Sequence, residues 1–232
     1  MSTAVIHAHK LSKTIYSASQ PIKILRGVDL TVNAGDSVAI LGASGSGKST
    51  LLGVLAGLDT VNNGHIQLLG EELTTLNEDQ RTALRAGQIG FVFQSFHLLP
   101  ELSAVENVAL TLELFNRSDA LNVAYEWLTR LGLAHRAEHY PSQLSGGEQQ
   151  RVALCRAFAV EPKILFADEP TANLDAHTAN NVLDQLFSLL DTSQTSLVVA
   201  THDPVLARRC RHRFQLQDGI LNSAPKDQES LC

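Results

Sequence analysis

A glycine-rich segment with one lysine and several hydroxyl side chains has the composition of a phosphate cradle. The run Gly42-Ala43-Ser44-Gly45-Ser46-Gly47-Lys48-Ser49 fits the pattern G-x-x-x-x-G-K-[ST] in full. Glycines let backbone N–H groups turn toward phosphate oxygens, and a following helix N-terminus adds partial positive charge. We expect Lys48 to contact the terminal phosphates, the Ser49 hydroxyl to bind Mg²⁺ and Thr50 to add a donor. The segment therefore predicts a nucleotide-binding site.

Two adjacent carboxylates follow an apolar run in the second half of the chain. The run Ile164-Leu165-Phe166-Ala167 leads directly into Asp168 and Glu169. Acids at the C-terminal edge of a parallel sheet face the ligand crevice. We expect Asp168 to hold Mg²⁺ through water and Glu169 to polarise an attacking water. An acidic turn that caps the next element is the alternative, and the phosphate loop upstream weakens it.

A histidine follows another apolar run. His202 comes just after Leu197-Val198-Val199-Ala200, where it could contact a terminal phosphate and orient water. A lone histidine at a strand end is more often structural, so this signal is weak by itself. The next residues, Asp203 and Pro204, predict the N-cap and first residue of a helix.

Short apolar runs that alternate with helical periodicity provide the elements that would position these groups. Strands are predicted at Val5-Ile6 and at residues 25–32, 37–41, 65–69, 89–93, 164–167 and 197–200. A helical run over Leu51–Leu58 stops near Gly57, and a second stripe contains Val182, Leu183, Leu186, Leu189 and Leu190. This alternation predicts a parallel sheet with crossover connections. Phe214-Gln215-Leu216 and Ile220-Leu221 flank a predicted hairpin turn at residues 217–219.

The middle of the chain is predicted to be helical. Leu121, Ala124, Leu128 and Leu131 recur at intervals of three or four residues, which predicts one apolar helix stripe that ends at Gly132. We therefore interpret residues 95–160 as a helical insertion between strands.

The end of that insertion contains a pair of glycines that local structure does not explain. In Leu144-Ser145-Gly146-Gly147-Glu148-Gln149-Gln150-Arg151, Ser145 and Glu148 form a capping box at the start of a helix. Capping does not account for Gly146 and Gly147, because each glycine costs about 1 kcal/mol in a helix relative to alanine. Glycines here allow a group to approach the helix N-terminus closely, and a phosphate is the natural candidate.

The motifs together resemble the ATPase subunits of ABC transporters, over nearly the whole chain and in the family's order. Leu144–Arg151 resembles the signature motif, Gly42–Ser49 the Walker A loop and Phe93-Gln94 the Q-loop. Ala167-Asp168-Glu169 is similar to the end of Walker B, Ala172-Asn173-Leu174-Asp175 to the D-loop and Thr201-His202 to the H-loop. Residues 90–100 and 167–175 are particularly similar to the lipoprotein-release and macrolide-export subfamily.

The resemblance implies a fold and a domain organisation. It implies an α/β P-loop NTPase core with a mainly parallel sheet, an N-terminal antiparallel β subdomain and an inserted helical subdomain. A single domain would cover residues 1–232. The core and β part would occupy 1–94 and 161–222, the helical subdomain 95–160 and a polar tail 223–232.

The resemblance also implies site roles and partners. Glu169, His202 and Gln94 would be catalytic, Gln94 would join Ser49 and Asp168 at Mg²⁺, and Asp175 would lie at the nucleotide. Tyr16 best matches the adenine-stacking residue, with Ile15 as a rival. The enzyme would hydrolyse ATP between two copies, with Ser145, Gly146 and Gly147 of each copy serving the ATP of the other. A separate membrane permease would hold the ATPase at the cytoplasmic face of the inner membrane.

Composition limits the alternatives. The net charge is −6, which argues against a broad grip on nucleic acid, and no window approaches the roughly 20 apolar residues that span a bilayer. Three scattered cysteines favour neither a disulfide framework nor a zinc site. A soluble ABC ATPase acting on nucleic acid or ribosomes, and a non-hydrolysing adaptor, are the competing functions. Four apolar residues after the Q-loop either pack the insertion or form a groove for the permease: Phe96, Leu98, Leu99 and Leu102.

Overall fold

A computed structural model describes residues 3–17 and 20–224. The N-terminal elements are β1 (Ala4–Ser17), β2 (Gln20–Asn33), β3 (Ser37–Leu41), α1 (Lys48–Leu55), β4 (Asn63–Leu68), β5 (Glu71–Glu72), α2 (Glu78–Arg85) and β6 (Ile89–Phe93). They are followed by α3 (Ala104–Glu113), α4 (Ala120–Arg130), α5 (Gly146–Phe158), β7 (Ile164–Asp168), α6 (Ala176–Thr192), β8 (Ser196–Thr201), α7 (Pro204–Arg209), β9 (His212–Gln217) and β10 (Ile220–Ser223). The part of the predicted tail beyond residue 224 lies outside the described residues.

The described chain divides into two compact units. The first comprises residues 3–17, 20–76 and 198–224, and the second comprises residues 77–197. The boundary falls inside β8, whose last four residues belong to the first unit. The division into core and helical subdomain that the sequence suggested uses other boundaries and stays a prediction.

The first unit contains an antiparallel sheet and a parallel-rich strand set. The antiparallel sheet has the order β2-β1-β4-β5, and its buried face is formed by alternate residues such as Ile6, Ala8, Leu30 and Val32. The remaining strands have the order β10-β9-β3-β8, with β3 and β9 parallel and the β9–β10 hairpin antiparallel. The hairpin prediction is confirmed. Val38, Ala39 and Ile40 of β3 are 0 % exposed, as the continuous apolar run predicts.

In the second unit, three α-helices lie between two parallel strands in the order of the sequence. Strands β6 and β7 pair in parallel register, with Phe93 opposite Asp168, and α3, α4 and α5 lie between them in sequence. The apolar stripe on α4 is confirmed for Ala124 and Leu128, with Leu131 buried just after the helix. The prediction that Leu121 belongs to this buried stripe is wrong, because its side chain is 51 % exposed at the first turn of α4. The second predicted apolar stripe lies on α6, where Val182, Leu183, Leu186 and Leu189 are buried.

Candidate functional site

The glycine-rich loop adopts a backbone that only glycine tolerates at key points. Gly45 and Gly47 have φ values of 77° and 97°, and Gly47 is the N-cap of α1. A Cβ on Gly42 would lie 2.5 Å from the Ser46 Oγ and 2.7 Å from the Leu216 carbonyl oxygen. Nothing lies within 4 Å of a Cβ placed on Gly45. The loop therefore has the tight turn and the open inner side that close approach of an anion requires.

The lysine of the loop is held in place by the loop itself. Lys48 is 6 % exposed, and its Nζ donates hydrogen bonds to the carbonyl oxygens of Gly42 at 2.9 Å and Ala43 at 3.1 Å. Ser49, the next residue of α1, has an exposed side chain, so its hydroxyl is accessible. A buried cation and an accessible hydroxyl at one helix N-terminus are suited to phosphate and to its metal ion.

A cavity of about 480 Å³ adjoins this loop within the first unit. Residues 43–46 form one wall, and the β9–β10 hairpin with β2 forms the others. The β2 wall combines apolar Ile22 and Ile24 with cationic Lys23 and Arg26. No local pattern in the sequence indicates these wall residues, because strand contacts bring them to the loop. Tyr16 is not among the described residues that line the cavity. It lies near the end of β1, and its side chain is 75 % exposed. Its role at adenine stays a prediction.

The predicted acids lie where a parallel strand ends. Asp168 is the last residue of β7, and its Oδ1 is buried with no hydrogen-bond partner among the described residues. Glu169 follows with a φ of 47°, a left-handed conformation that is rare outside glycine and is found at functional sites. Gln94 directly follows the neighbouring strand β6, whose Phe93 pairs with Asp168. The second unit thus brings Gln94, Asp168 and Glu169 to one sheet edge, as the sequence predicts.

The segment after the acids is tied to the segment that contains Gln94. Asn173 donates through Nδ2 to the Gln94 carbonyl oxygen at 3.0 Å, and the Gln94 side chain donates to the Asn173 Oδ1 at 3.4 Å. Asp175 is the N-cap of α6 and accepts from the backbone of Thr178 at 3.0 Å. Hydrogen bonds from Thr178 hold the pKa of the Asp175 carboxyl below its ordinary value. The structure therefore assigns Asp175 a capping role, and its contact with nucleotide stays a prediction.

A partly buried arginine fixes the chain just beyond Gln94. Phe96 and His97 both have positive φ values, 60° and 48°. Arg156 of α5 donates to the carbonyl oxygen of Phe96 at 2.8 Å and also to that of His97. Burial lowers the pKa of the Arg156 guanidinium. These bonds connect the segment after Gln94 to the helix that begins at Gly146.

The capping box at the start of α5 is confirmed. Glu148 accepts from the Ser145 backbone N–H at 2.8 Å, and its own N–H donates to the Ser145 Oγ at 3.3 Å. Glycine at position 147 has a reason that the sequence interpretation missed. A Cβ there would lie 2.3 Å from the Thr178 Cγ2 of α6. Packing against Thr178 therefore favours glycine here, so the second glycine is not by itself a sign of a phosphate.

His202 lies in the first unit, directly after the end of β8. Its side chain is exposed, and the preceding Thr201 accepts a hydrogen bond from the Asp203 N–H at 2.9 Å. Asp203 caps α7 by accepting from the Val205 N–H at 2.7 Å, and Pro204 is the first helical residue. The predicted cap is confirmed. The catalytic role of His202 stays a prediction.

A second, more apolar groove of about 540 Å³ lies in the second unit. Its walls come from β6, the following segment and the end of α3, and include Phe91, Phe93, Leu99, Leu110, Leu114 and Phe115. Leu114 is 72 % exposed. Of the four residues that the sequence suggested for such a groove, only Leu99 lines it.

No helix among residues 3–17 and 20–224 has the length and apolar character needed to cross a membrane. Within the same residues, no group of three or more histidine, cysteine or acidic side chains is arranged to hold a metal ion. The predicted metal ligands are a hydroxyl, an amide and a single carboxylate, so this finding does not conflict with them.

Comparison with known proteins identifies close relatives. The family described as "ABC transporter" matches residues 25–172. The chain is 48 % identical to the uncharacterized ABC transporter ATP-binding protein YbbA of Escherichia coli K12, over 94 % of this chain and 96 % of that protein. It is 46 % identical to the lipoprotein-releasing system ATP-binding protein LolD of Alcanivorax borkumensis, over 95 % and 97 % of the two chains.

Solved structures give the same result for the fold. A dimeric bacterial ABC transporter cassette, MJ0796, matches with a TM-score of 0.87 and 36 % identity over 95 % of this chain and 99 % of that one. The same cassette as a post-hydrolysis dimer bound to ADP and Pi matches with a TM-score of 0.86. These comparisons confirm the resemblance and the predicted fold class.

Proposed function

The chain belongs to the ABC transporter family of ATP-binding proteins, and from this premise we propose that two copies of it bind and hydrolyse ATP to drive a membrane permease. The observation that carries the proposal is the cradle of residues 42–49. Its glycines have no room for side chains or adopt positive φ, and its lysine is buried over the loop. This arrangement binds the phosphates of a nucleotide.

The residues present fit a magnesium ion that accompanies ATP. The buried Asp168 Oδ1 lacks a hydrogen-bond partner among the described residues, and such an atom is costly unless a cation or water occupies its lone pairs. Asp168, Ser49 and Gln94 would hold the ion, with Asp168 acting through water. When bound, Mg²⁺ neutralises developing charge on the phosphate oxygens. Because Mg²⁺ keeps several of its water ligands when bound, few protein ligands are needed to hold it.

The hydrolysis step rests on the chain's own side chains. Glu169 accepts a hydrogen bond from the attacking water and increases its nucleophilicity, and His202 orients the same water at the terminal phosphate. Lys48 donates to the phosphate oxygens and offsets their charge. Gln94 joins the reaction edge to the segment that Arg156 fixes, so loss of the terminal phosphate is communicated toward α5.

The second copy completes each site. The similar MJ0796 structures are dimers, and one of them has ADP and Pi bound. In the proposed dimer the Ser145-Gly146-Gly147 start of α5 faces the ATP held by the cradle of the other copy. An isologous pair of this kind forms two equivalent sites. The N–H groups at a capped helix start are suited to the terminal phosphate.

The apolar groove of the second unit is where we place the permease. Its exposed Leu114 and Phe115 give the groove an apolar surface that a partner can contact. The segment after Gln94 contributes Leu99, so a partner seated in the groove contacts the region that responds to the terminal phosphate. The relative LolD is named as the ATP-binding protein of a lipoprotein-releasing system. The protein would accordingly lie at the cytoplasmic face of the inner membrane.

Mixed dimers test the proposal directly. Lys48→Ala should remove ATP binding, while Ser145→Arg should leave ATP affinity nearly intact and still abolish hydrolysis. In a mixed dimer one site carries both lesions and the other carries none, so ATPase activity should return on mixing. Absence of activity at every ratio, with mixed dimers demonstrated by differently tagged copies, would contradict the shared-site arrangement.

A further inference from the structure

A salt bridge beside the start of α5 joins Arg136 to Glu148. We propose that Arg136 is a positioning residue for ATP hydrolysis: it fixes the Glu148 carboxylate, which in turn fixes Ser145 for the ATP held by the other copy. This inference rests on the proposed function, because it gives Ser145 a ligand in the partner's site.

Arg136 and Ser145 contact the two different oxygens of one carboxylate. The Arg136 Nε donates to the Glu148 Oε1 at 2.9 Å, and the Ser145 backbone N–H donates to the Glu148 Oε2 at 2.8 Å. The Glu148 side chain is 14 % exposed, whereas that of Arg136 is 36 % exposed. A carboxylate held at both oxygens has one orientation, so the position of Ser145 depends on Arg136.

The electrostatics of the pair support an ionised carboxylate. Burial raises the pKa of the Glu148 carboxyl, but hydrogen bonds from Ser145 and Arg136 outweigh burial and hold that pKa below its ordinary value. Without the guanidinium, the charge at a partly buried position would be less compensated. The carboxylate would then turn toward water and release the Ser145 backbone.

Arg136 is itself held in a defined place. It ends a short 3-10 helix, Ala134–Arg136, and its backbone N–H donates to the Leu133 carbonyl oxygen at 2.9 Å. Its Nη1 lies 3.1 Å from the His139 Nε2. Because a guanidinium only donates, the His139 Nε2 is the acceptor in this contact. The His139 carbonyl oxygen accepts from Ala104 at 2.8 Å, which anchors the segment to the start of α3.

The Glu148 carboxylate holds both the backbone and the side chain of Ser145. Besides the backbone bond at 2.8 Å, the Ser145 side chain hydrogen-bonds to the same carboxylate and helps to lower its pKa. The Ser145 Oγ also accepts from the Glu148 N–H at 3.3 Å. The salt bridge therefore orients the hydroxyl that the proposed dimer presents to the phosphate of the other copy.

A double-mutant cycle on Arg136 and Glu148 tests the inference. Arg136→Gln should lower kcat about tenfold, the effect of losing one charge-assisted hydrogen bond, while ATP affinity measured by titration stays unchanged. In the Glu148→Gln background, where no charge needs balancing, Arg136→Gln should change kcat less than about twofold. Arg136→Lys should restore most of the activity. Arg117→Gln is the matched control, because Arg117 forms a bidentate pair with Asp119 in the same unit but outside this network.

The outcomes separate this inference from the proposed function. Equal effects of Arg136→Gln in both backgrounds, or an equal loss from Arg117→Gln, would overturn the inference. Weakened ATP binding by Arg136→Gln would also overturn it. Mixing Arg136→Gln with Lys48→Ala should raise activity above the mean of the two proteins, as is expected for Ser145→Arg. If Ser145→Arg restores ATPase activity on mixing with Lys48→Ala but Arg136→Gln does not, only the role of Arg136 is refuted. If neither variant restores activity, the shared ATP site itself is refuted.

Discussion

Replacing Gly147 with alanine isolates the packing reason for the second glycine of the α5 start. The new Cβ would lie 2.3 Å from the Thr178 Cγ2, a distance that forces side chain or helix to move. Overpacking of this kind costs about 1–3 kcal/mol. Alanine in a helix gains about 1 kcal/mol over glycine, so the net change in unfolding free energy should be a loss of about 0–2 kcal/mol.

Gly53 of α1 is the matched control for this change. A Cβ at Gly53 meets nothing within 4 Å outside its own helix backbone, so Gly53→Ala should stabilise the protein by about 1 kcal/mol. The two alanine variants should then differ by about 1–3 kcal/mol. At about 2–4 °C per kcal/mol for a chain of this size, thermal unfolding should separate their Tm values by about 2–12 °C.

Removing the opposing methyl group should reverse the loss. Thr178→Ser deletes the Cγ2 that the new Cβ would meet, so the pair Gly147→Ala and Thr178→Ser should regain most of the lost stability. Tm measured by circular dichroism, at equal protein concentration and without nucleotide, provides the comparison. If Gly147→Ala and Gly53→Ala shift Tm equally, the packing explanation is wrong.

Three further outcomes follow from the described contacts. Lys48→Ala should weaken ATP binding by well over about tenfold in a nucleotide titration, because it removes the cradle's charge-assisted donor; unchanged affinity would exclude the cradle. Arg156→Ala should lower the unfolding free energy in urea by about 1–3 kcal/mol, since the Phe96 and His97 carbonyl oxygens lose their donor; an unchanged midpoint would contradict this. Burial raises the pKa of the Cys210 thiol to about 12 and that of Cys155 further, so a Cys232→Ser variant should show no thiol reaction with DTNB at pH 8 until it is unfolded.

Continuous apolar runs made the buried strands predictable. The predicted bounds of β3 and β6 match the observed ones, and β7 extends the predicted run by one residue, Asp168. Strands buried on both faces carry this signal in their own residues. The long β1 and β2 strands were only partly predicted, because exposed polar residues interrupt their apolar positions.

Helix α2 shows the opposite case. None of its residues is buried, so it has no apolar stripe and the periodicity does not indicate it. Its local signal was a capping box in which Asn77 and Gln80 bond each other's backbone. Leu121 had the right spacing on α4 but lies in the first turn, where the helix is open to solvent.

The site divides along the same line between local and long-range signals. The phosphate loop was predictable because its glycines, Lys48 and Ser49 are consecutive. The cavity wall of Ile22 and Ile24 was not, because it reaches the loop through a separate strand. The Arg136–Glu148 pair spans a twelve-residue interval that no helix periodicity connects.

The ATP-dependent dimer is the most direct test of the central claim that two copies enclose each nucleotide. Glu169→Gln should slow hydrolysis about 10²- to 10⁴-fold, the range for loss of a general base, while Lys48, Ser49 and Asp168 still hold ATP and Mg²⁺. Size-exclusion chromatography with light scattering should then show a dimer with ATP and Mg²⁺ and a monomer with ADP. A Glu169→Gln protein that binds ATP, does not hydrolyse it and remains monomeric would contradict the claim.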